Sequence, residues 1–546
     1  MGLFSVLNVG TRGLAASQLG MDVTGQNISN ADVEGYSRKR LNTTASYRGD
    51  DSFGQMGFGV EVKNIERIRN TYIDQQIRRQ NQEVGFFSEA DHTLEAVENI
   101  LTEPSDTGLM EYIDQFFDSW ENLANNPSDM AARTMVQTNG NVLTDVFHNL
   151  SGELRDLKDT RNDEIRNRVD KINQITAEIH NLNTEIASVE INDQNANDSR
   201  DHRDRLLKEL SSIIEIDVTE NERGQITVTT SGNILVSPVD VQEVELTTTQ
   251  HQRSDGTSHM ELGVRFANSK RDLVPTGGEL KGLIDSRDIL IPSYEKQLDT
   301  LAQSLVSEIN QIHHSGYTLE GYTGIDFFEP DPTGASDISL SASILSDVKN
   351  IAAAQGGETR QATETGISHT YGNNPVSLAH RDIQSITVTN EDTGVVLTEG
   401  VDYAIDNRMG TFQLLNSSYD GVPMTIEYSF STGGFAGAGD NANALAIGQL
   451  RHAQTMNADS VGEPTATFNQ FYSSFIGTLG INRNEASSNL QTRKFLVEQY
   501  ETHQDSIAGV SLDEEMAEMI KFQHTYQAAA RVISTADRML EVLMNM

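Results

Sequence analysis

The chain has 546 residues, enough for several domains, because single hydrophobic cores stop growing well short of that length. Its formal net charge is −40, from 80 acidic and 40 basic residues, which argues against nucleic acid and anionic membrane as partners. It has no cysteine, which excludes disulfides and thiolate metal sites, and its hydrophobic share of 37% suits an elongated molecule with thin cores better than a compact enzyme.

The first residues, Met1-Gly2-Leu3-Phe4-Ser5-Val6, have no basic segment leading into a long apolar one, so no cleavable secretory signal is expected. Val6 breaks the myristoylation pattern. No run of 18 apolar residues occurs, so no ordinary membrane-spanning helix is expected.

In chain order, the first element is an amphipathic helix. Leu7, Leu14, Met21 and Ile28 recur at seven, flanked by Phe4, Leu19 and Val23. Gly10, Ser17 and Thr24 follow the first three of these by three residues. They allow close helix approach but lower intrinsic stability, so this helix needs a partner. Asn27-Ile28-Ser29-Asn30 and Gly35-Tyr36 end it in a turn, and Gly-rich alternating sequence runs on through Gly59-Val60-Glu61-Val62.

A long helical stretch is expected from about Ile65 to about Leu210, interrupted at Pro104 and Pro127. Its second half places Ile165, Arg168, Ile172, Ile175, Ile179, Leu182, Ile186 and Val189 at heptad spacing, the pattern of a rod-like hairpin or coiled coil. From about Ile213 the period becomes two, as in Ile226-Thr227-Val228-Thr229 and Val244-Glu245-Leu246-Thr247, which predicts half-buried strands. Helix returns between Gly278 and His314, with Leu298, Leu301, Leu305 and Ile309 on one face. A second β-rich stretch spans about Gly366 to Thr432 and ends in a Gly-rich linker, Gly433 to Gly439. The remainder, from Asn441, is helical.

The C-terminus carries the clearest periodicity. Leu512, Met519, Tyr526, Ile533 and Leu540 form one series at seven; Glu515, Phe522, Ala529, Ala536 and Leu543 form the other, three residues on. Nine of these ten are apolar, the exception being Glu515. Asp513, Glu514 and Glu515 suit a helix N-terminus, where the macrodipole favours acids, and Ser511 suits its cap.

The fold expected is α+β and multidomain: an elongated helical, coiled-coil core formed by both termini, with mainly-β outer domains inserted in the middle. The expected division is 1–64, an assembly helix and Gly-rich β segment; 65–215, the long helical part; and 216–278 with 317–362, a β-rich outer domain. A core helix over 279–316 and an inserted small β module over 363–436 follow. The C-terminal helical part is 437–546, with its assembly helix at 507–546.

No zinc-protease, phosphate-loop or complete nucleophile-elbow motif is present. Gly437-Ala438-Gly439-Asp440-Asn441-Ala442 fits a loose dinucleotide fingerprint, with Asp459 further on, but lacks a βαβ setting and reads as linker and helix cap. Asp193, Asn195 and Asn197 approach a calcium loop, yet Asp198 and Asp204 stand where Gly and Glu are required, so a solvated helix break is expected. His313-His314 at a helix C-terminus is explained as well by the dipole as by a metal. No catalytic, cofactor or metal site is expected.

Asn27-Ile28-Ser29-Asn30 through Gly35-Tyr36-Ser37-Arg38 resembles the N-terminal signature of the flagellar rod, hook and hook-associated axial proteins, with Ser29 and Val33-Glu34 departing from its pattern. Gly509-Val510-Ser511-Leu512-Asp513-Glu514-Glu515-Met516, leading into Phe522-Gln523-His524-Thr525-Tyr526-Gln527-Ala528-Ala529-Ala530, resembles the family's C-terminal helix. Three internal segments narrow the resemblance to the FlgK-type, hook–filament junction branch. They are Asp201 to Ser211, Gly278 to Ala302, and Gly439 to Ala446. Residues 363–436 fall outside it.

The resemblance implies a non-enzymatic subunit of the bacterial flagellum that joins hook to filament in a ring of self-associating copies. Its implied neighbours are hook protein and the second hook–filament junction protein. It implies export through the flagellar type III apparatus without cleavage, to an extracellular location, and a cytoplasmic chaperone holding the C-terminal segment. The assembly and chaperone residues are expected to be Leu7, Leu14, Met21, Ile28, Leu512, Met519, Phe522, Tyr526, Ile533, Leu540 and Leu543. The family signature residues are Asn27, Asn30, Gly35 and Tyr36. The terminal helices are expected to order only when packed. Alternatives are another axial protein of the hook or rod, a secreted coiled-coil adhesin or effector, and an exported enzyme housed in 363–436.

Overall fold

The computed structural model describes residues 3–51, 54–101, 108–191, 194–252, 258–355, 359–372, 374–381, 383–407, 409–431, 439–456 and 464–544. Helix α1 (Leu3–Ser29) leads into a long hairpin, β1 (Lys39–Asp51) and β2 (Gly54–Arg67). Helices α2 (Thr71–Leu101), α3 (Leu109–Asn125), α4 (Met130–Glu190) and α5 (Asn197–Ile213) follow. The helical stretch therefore begins at Thr71, not Ile65, because Ile65 pairs with Leu41 in the hairpin. Pro127 lies in the loop between α3 and α4, and Asp129 starts α4 by accepting the Ala131 N–H at 2.9 Å. Pro104 lies outside the described residues.

At 61 residues α4 is a rod about 90 Å long. Its two halves serve different cores. The first half packs with α3, where Phe116, Phe117 and Trp120 are fully buried. The second presents Ile165, Val169, Ile172, Ile175, Ile179 and Leu182 to a separate core. Against that stripe lie α5, α6 (Gly278–Asp285) and five strands. These are β3 (Asp217–Glu220), β4 (Ile226–Thr230) and β5 (Asn233–Val236) in one sheet, and β6 (Val244–Gln252) with β7 (Ser258–Phe266) in another.

Helix α6 runs through a π turn, Ser286–Leu290, into α7 (Ile291–Ser315). Pro292 has no N–H to give to the carbonyl four residues back, and the wider turn forms just before it. Residues 317–354 correct the expected grouping with 216–278. They contain the short helix α8 (Ala342–Ser346), one 3-10 turn (Val348–Asn350) and isolated bridges, and they pack into the helical core. The reason is aromatic: Phe327 lies 5.3 Å from Trp120 and 5.7 Å from Phe116, so burying Phe327 and Phe328 fixes the segment against α3.

The inserted module starts earlier than residue 363. Its first strand is β8 (Thr359–Ile367), followed by β9 (Val376–Ser377), β10 (Ile383–Asn390), β11 (Tyr403–Asp406), β12 (Thr411–Leu414) and β13 (Met424–Ser431). They form two antiparallel three-stranded sheets, β10-β13-β8 and β11-β12-β9, around a core of their own that includes Ile383, Val388, Phe412 and Ile426. Gly433 to Ala438 of the expected linker lie outside the described residues. Helices α9 (Ala442–Gln449), α10 (Phe468–Ala508) and α11 (Leu512–Met544) complete the chain's elements, α10 opening with a capping box between Thr467 and Gln470.

Candidate functional site: the joint of the two terminal helices

α1 and α11 lie antiparallel along one another. A Cβ placed at Gly20 would come within 2.7 Å of the Phe522 ring, one at Gly10 within 2.8 Å of Ile533, and one at Gly13 lies 3.7 Å from the Ala529 Cβ. The most buried row of α1 is therefore Gly10, Ala16, Ser17, Gly20, Val23, Thr24 and Asn27. Leu7, Leu14, Met21 and Ile28 flank it, half-buried. On α11, Met519, Phe522, Tyr526, Ile533 and Leu540 are half-buried, whereas Leu512 is 49% exposed. The Leu543 side chain lies outside the described residues. Small side chains on α1 let the larger ones of α11 sit close to its backbone, which is why the bulky row of α1 turns aside.

The pair is anchored at one end by the signature residues. Asn27, 1% exposed, meets its full hydrogen-bonding capacity. Its Nδ2 donates to the Lys39 carbonyl and to Glu515 Oε2, each at 2.9 Å. Its Oδ1 accepts from Tyr36 Oη at 2.9 Å and from the Lys39 N–H at 3.0 Å. One side chain thus joins α1, the turn after it, the first residue of β1 and α11. Burial, followed by the charges of Asp198, Asp201 and Glu515, pushes the Tyr36 hydroxyl up to about 12, so it stays a donor. Asn30 donates to the Gln26 carbonyl at 2.9 Å within the last turn of α1. Gly35 has φ +75°, and a Cβ there would lie 2.6 Å from Arg205 Cγ, so only glycine fits the turn.

Glu515, the one acid in the apolar seam, is 2% exposed. Besides Asn27 it takes Arg38 Nε at 2.7 Å, and the Arg38 Nη1 reaches Glu514 at 2.8 Å. The Arg38 N–H donates to the Ala508 carbonyl at 2.9 Å, pinning the α10–α11 corner. Behind this lies a second charged layer. Ser37 Oγ donates to Asp201 at 2.7 Å; Arg67 reaches Asp201 and Asp204 at 2.9 and 2.6 Å; Arg69 reaches Asp74 at 2.9 Å. Burial alone would raise the Asp204 carboxyl, but Arg67 and Arg69 outweigh it and hold it below the usual carboxylate range. Gln504 of α10 donates to the other oxygen of Asp74.

Periodicity did not reveal Arg38, Ser37, Arg67, Arg69, Asp74, Asp201 or Asp204. The available signals were Glu515, the sole polar residue of its seam, and the charged run from Asp201 to Arg205.

The other sites considered behave structurally. Asn195 and Asn197 both donate to the Ile65 carbonyl, at 3.0 and 2.9 Å, and Asp193 lies outside the described residues. His313 is fully buried, with Nδ1 on the Ile325 carbonyl at 2.6 Å and Nε2 accepting the Ala352 N–H at 2.8 Å; burial lowers it to about 4. It is thus neutral, which corrects the helix-dipole explanation based on a cation. His314 meets Asp326 at 2.9 Å. Asp440 accepts the Ala442 N–H at 3.0 Å as the start of α9. Among the described residues no cluster of His, Asp or Glu could hold a metal, and no helix is long and apolar enough to cross a membrane.

Three family models match the chain. The flagellar hook-associated protein FlgK helical domain covers residues 94–328. The flagellar basal body rod FlgEFG protein C-terminal family covers 505–546, and the flagella basal body rod protein family 7–36. Flagellar hook-associated protein 1 of Bacillus subtilis is 26% identical over 578 aligned positions, spanning 99% of this chain and 98% of that one. Its Salmonella typhimurium counterpart is 25% identical over 566, spanning 99% of each. The solved structure of the flagellar hook junction protein FlgK from Burkholderia pseudomallei, 18% identical, shares the fold with a TM-score of 0.58, covering 79% of this chain and 100% of that one. Both ends of the joint thus fall within matched segments, and the chain is similar over nearly its whole length to flagellar hook-associated proteins of the FlgK type.

Proposed function

We propose that this protein joins hook to filament in the bacterial flagellum, as a ring of self-associating subunits held by the terminal pair α1–α11. Its family is one of structural flagellar proteins and not of enzymes. The observation that carries the reading is the joint itself, which builds one element from both chain ends and keeps an apolar face on its outside. Leu512, Met516, Ile520, Val532, Met539 and Val542 of α11 are each 40–62% exposed, in a chain otherwise crowded with negative charge. Such a face is covered when subunits pack side by side.

In this reading hook protein lies on one side of the ring and the second hook–filament junction protein on the other. The chain leaves the cell through the flagellar type III apparatus without cleavage, and a cytoplasmic chaperone covers 507–546 beforehand. Leu7, Leu14, Met21 and Ile28, with the α11 seam, are the residues that exchange chaperone for neighbours. Gly10, Gly13 and Gly20 lower the intrinsic helix stability of α1, so the ends order fully only on packing.

The test is deletion of 512–546 followed by electron microscopy of the cells. Hooks without attached filaments are expected; normal filaments on normal hooks overturn the assignment. Hydrogen exchange separates out the ordering: protection of 1–30 and 512–546 rises on assembly, and strong protection in dilute monomer defeats that part.

A further inference from the structure

We propose that the buried pair Asn27–Glu515 is a positioning device that sets the register of α1 on α11. This rests on the terminal pair being the assembly element. Along the interface Gly13, Gly20 and Asn27 recur at seven, and they face Ala529, Phe522 and Glu515, which also recur at seven. Shape does not choose between the observed register and the one a heptad toward the start of α1. Phe522 needs a glycine beneath its ring, and Gly13 offers one as readily as Gly20 does. Sliding α11 by one heptad in that direction keeps small against large along the row.

The polar pair does choose. In one direction the slide puts Glu515 against Gly20, burying a carboxylate with no donor. In the other it puts Asn27 against Phe522, stranding the amide, the Lys39 N–H and the Tyr36 hydroxyl. Arg38 adds a second restraint, because β1 and the Ala508 carbonyl fix it to the body and its Nε reaches Glu515 only in the observed register. A single polar residue in an apolar seam specifies pairing in coiled coils in this way, at a cost in stability. Leu at position 515 would satisfy the heptad pattern and leave the register open.

The native chain has no cysteine, so engineered pairs report register cleanly. Gly13→Cys with Ala529→Cys reports the observed register, since 3.7 Å between those Cβ positions is within disulfide range. Val6→Cys with Ala529→Cys reports the register one heptad away, because position 6 is now about 10 Å too far along the helix. Purified full-length protein is oxidised, and the shifted-to-native cross-link ratio is measured. The otherwise unaltered chain should give a ratio below about one in ten. Adding Asn27→Leu with Glu515→Leu should bring the ratio near one, while Glu515→Gln, which keeps the acceptor, should leave it low.

A low ratio in the Leu pair overturns the proposal and returns register to shape. Equal cross-linking without the Leu changes also overturns it. Failure of the native pair to cross-link at all instead overturns the terminal pairing on which it rests. A Leu pair that does not fold is replaced by Arg38→Ala, which leaves α1 and α11 untouched and is expected to raise the ratio at least threefold; no rise counts against the device.

Discussion

Asn27 and Glu515 stand 488 residues apart in the chain and 2.9 Å apart in the fold, each buried and each the polar member of an otherwise small or apolar helix face. That contact gives Asn27, expected from the sequence to be a signature residue, a physical reason. No other side chain of its size supplies two donors and a two-fold acceptor to four partners lying in different directions.

Replacing Asn27 with Ala leaves the Lys39 N–H and carbonyl, the Tyr36 hydroxyl and Glu515 short of a partner in a buried place. A loss of about 3 kcal/mol is expected locally, since each stranded buried group costs roughly 1–3 kcal/mol and some will find water. Chemical denaturation, with amide exchange read over 508–520, measures it. A loss below about 1 kcal/mol would show that the network is slack.

Two glycines near each other should respond with opposite signs. Gly35→Ala forces a side chain into φ +75° and against Arg205, and a loss of about 1–2 kcal/mol is expected. Gly25→Ala, inside α1 with nothing within 4 Å of the new methyl, should gain about 0.5–1 kcal/mol of helix stability. Thermal unfolding of both variants checks the pair; equal signs would contradict the turn geometry.

His313 gives the helical core an acid dependence. In the unfolded chain its imidazole takes a proton near 6.5, whereas in the fold burial delays this to about 4. As pH falls below 6.5 the unfolded state gains protons first, so stability is complete above that value and lost progressively down to about 4. The loss is on the order of 3 kcal/mol. The difference in stability between pH 7 and pH 4.5 should shrink in His313→Gln, and an unchanged difference would remove His313 as its source.

The β module should be separable. Its core is its own, and the two points where it leaves the body are adjacent, the Gln355 N–H reaching Asp440 at 3.2 Å and the Ala444 N–H reaching the Ala353 carbonyl at 3.0 Å. Replacing 359–431 with a short Gly-Ser loop should leave the unfolding of the helical core unchanged. A large loss of helical signal would show hidden dependence.

Sequence reading reached as far as periodicity does. The heptads of α11 and of Ile165 to Ile186 are local patterns, and so are the alternations of β4, β10 and β13. Three things escaped it. Residues 317–354 hold position through Phe327 and Phe328 rather than through regular structure, and no period marks that. Strand β8, Thr359–Ile367, turns only Ala362 and Ile367 to the module's core, with a register shift between them, so it carries no alternation. The joint is made of charged pairs such as Ser37–Asp201, 164 residues apart, whose partners no spacing rule relates.

The helix that completes the joint follows α10 and the whole β module in the chain. A chain stopped early by a broken message, or trimmed by a protease, can still fold its α3–α4 core and its β module. It cannot cover Gly20 or give Arg38 its carboxylate. The antiparallel pair is therefore a check on synthesis: only a chain read through α11 can close the joint.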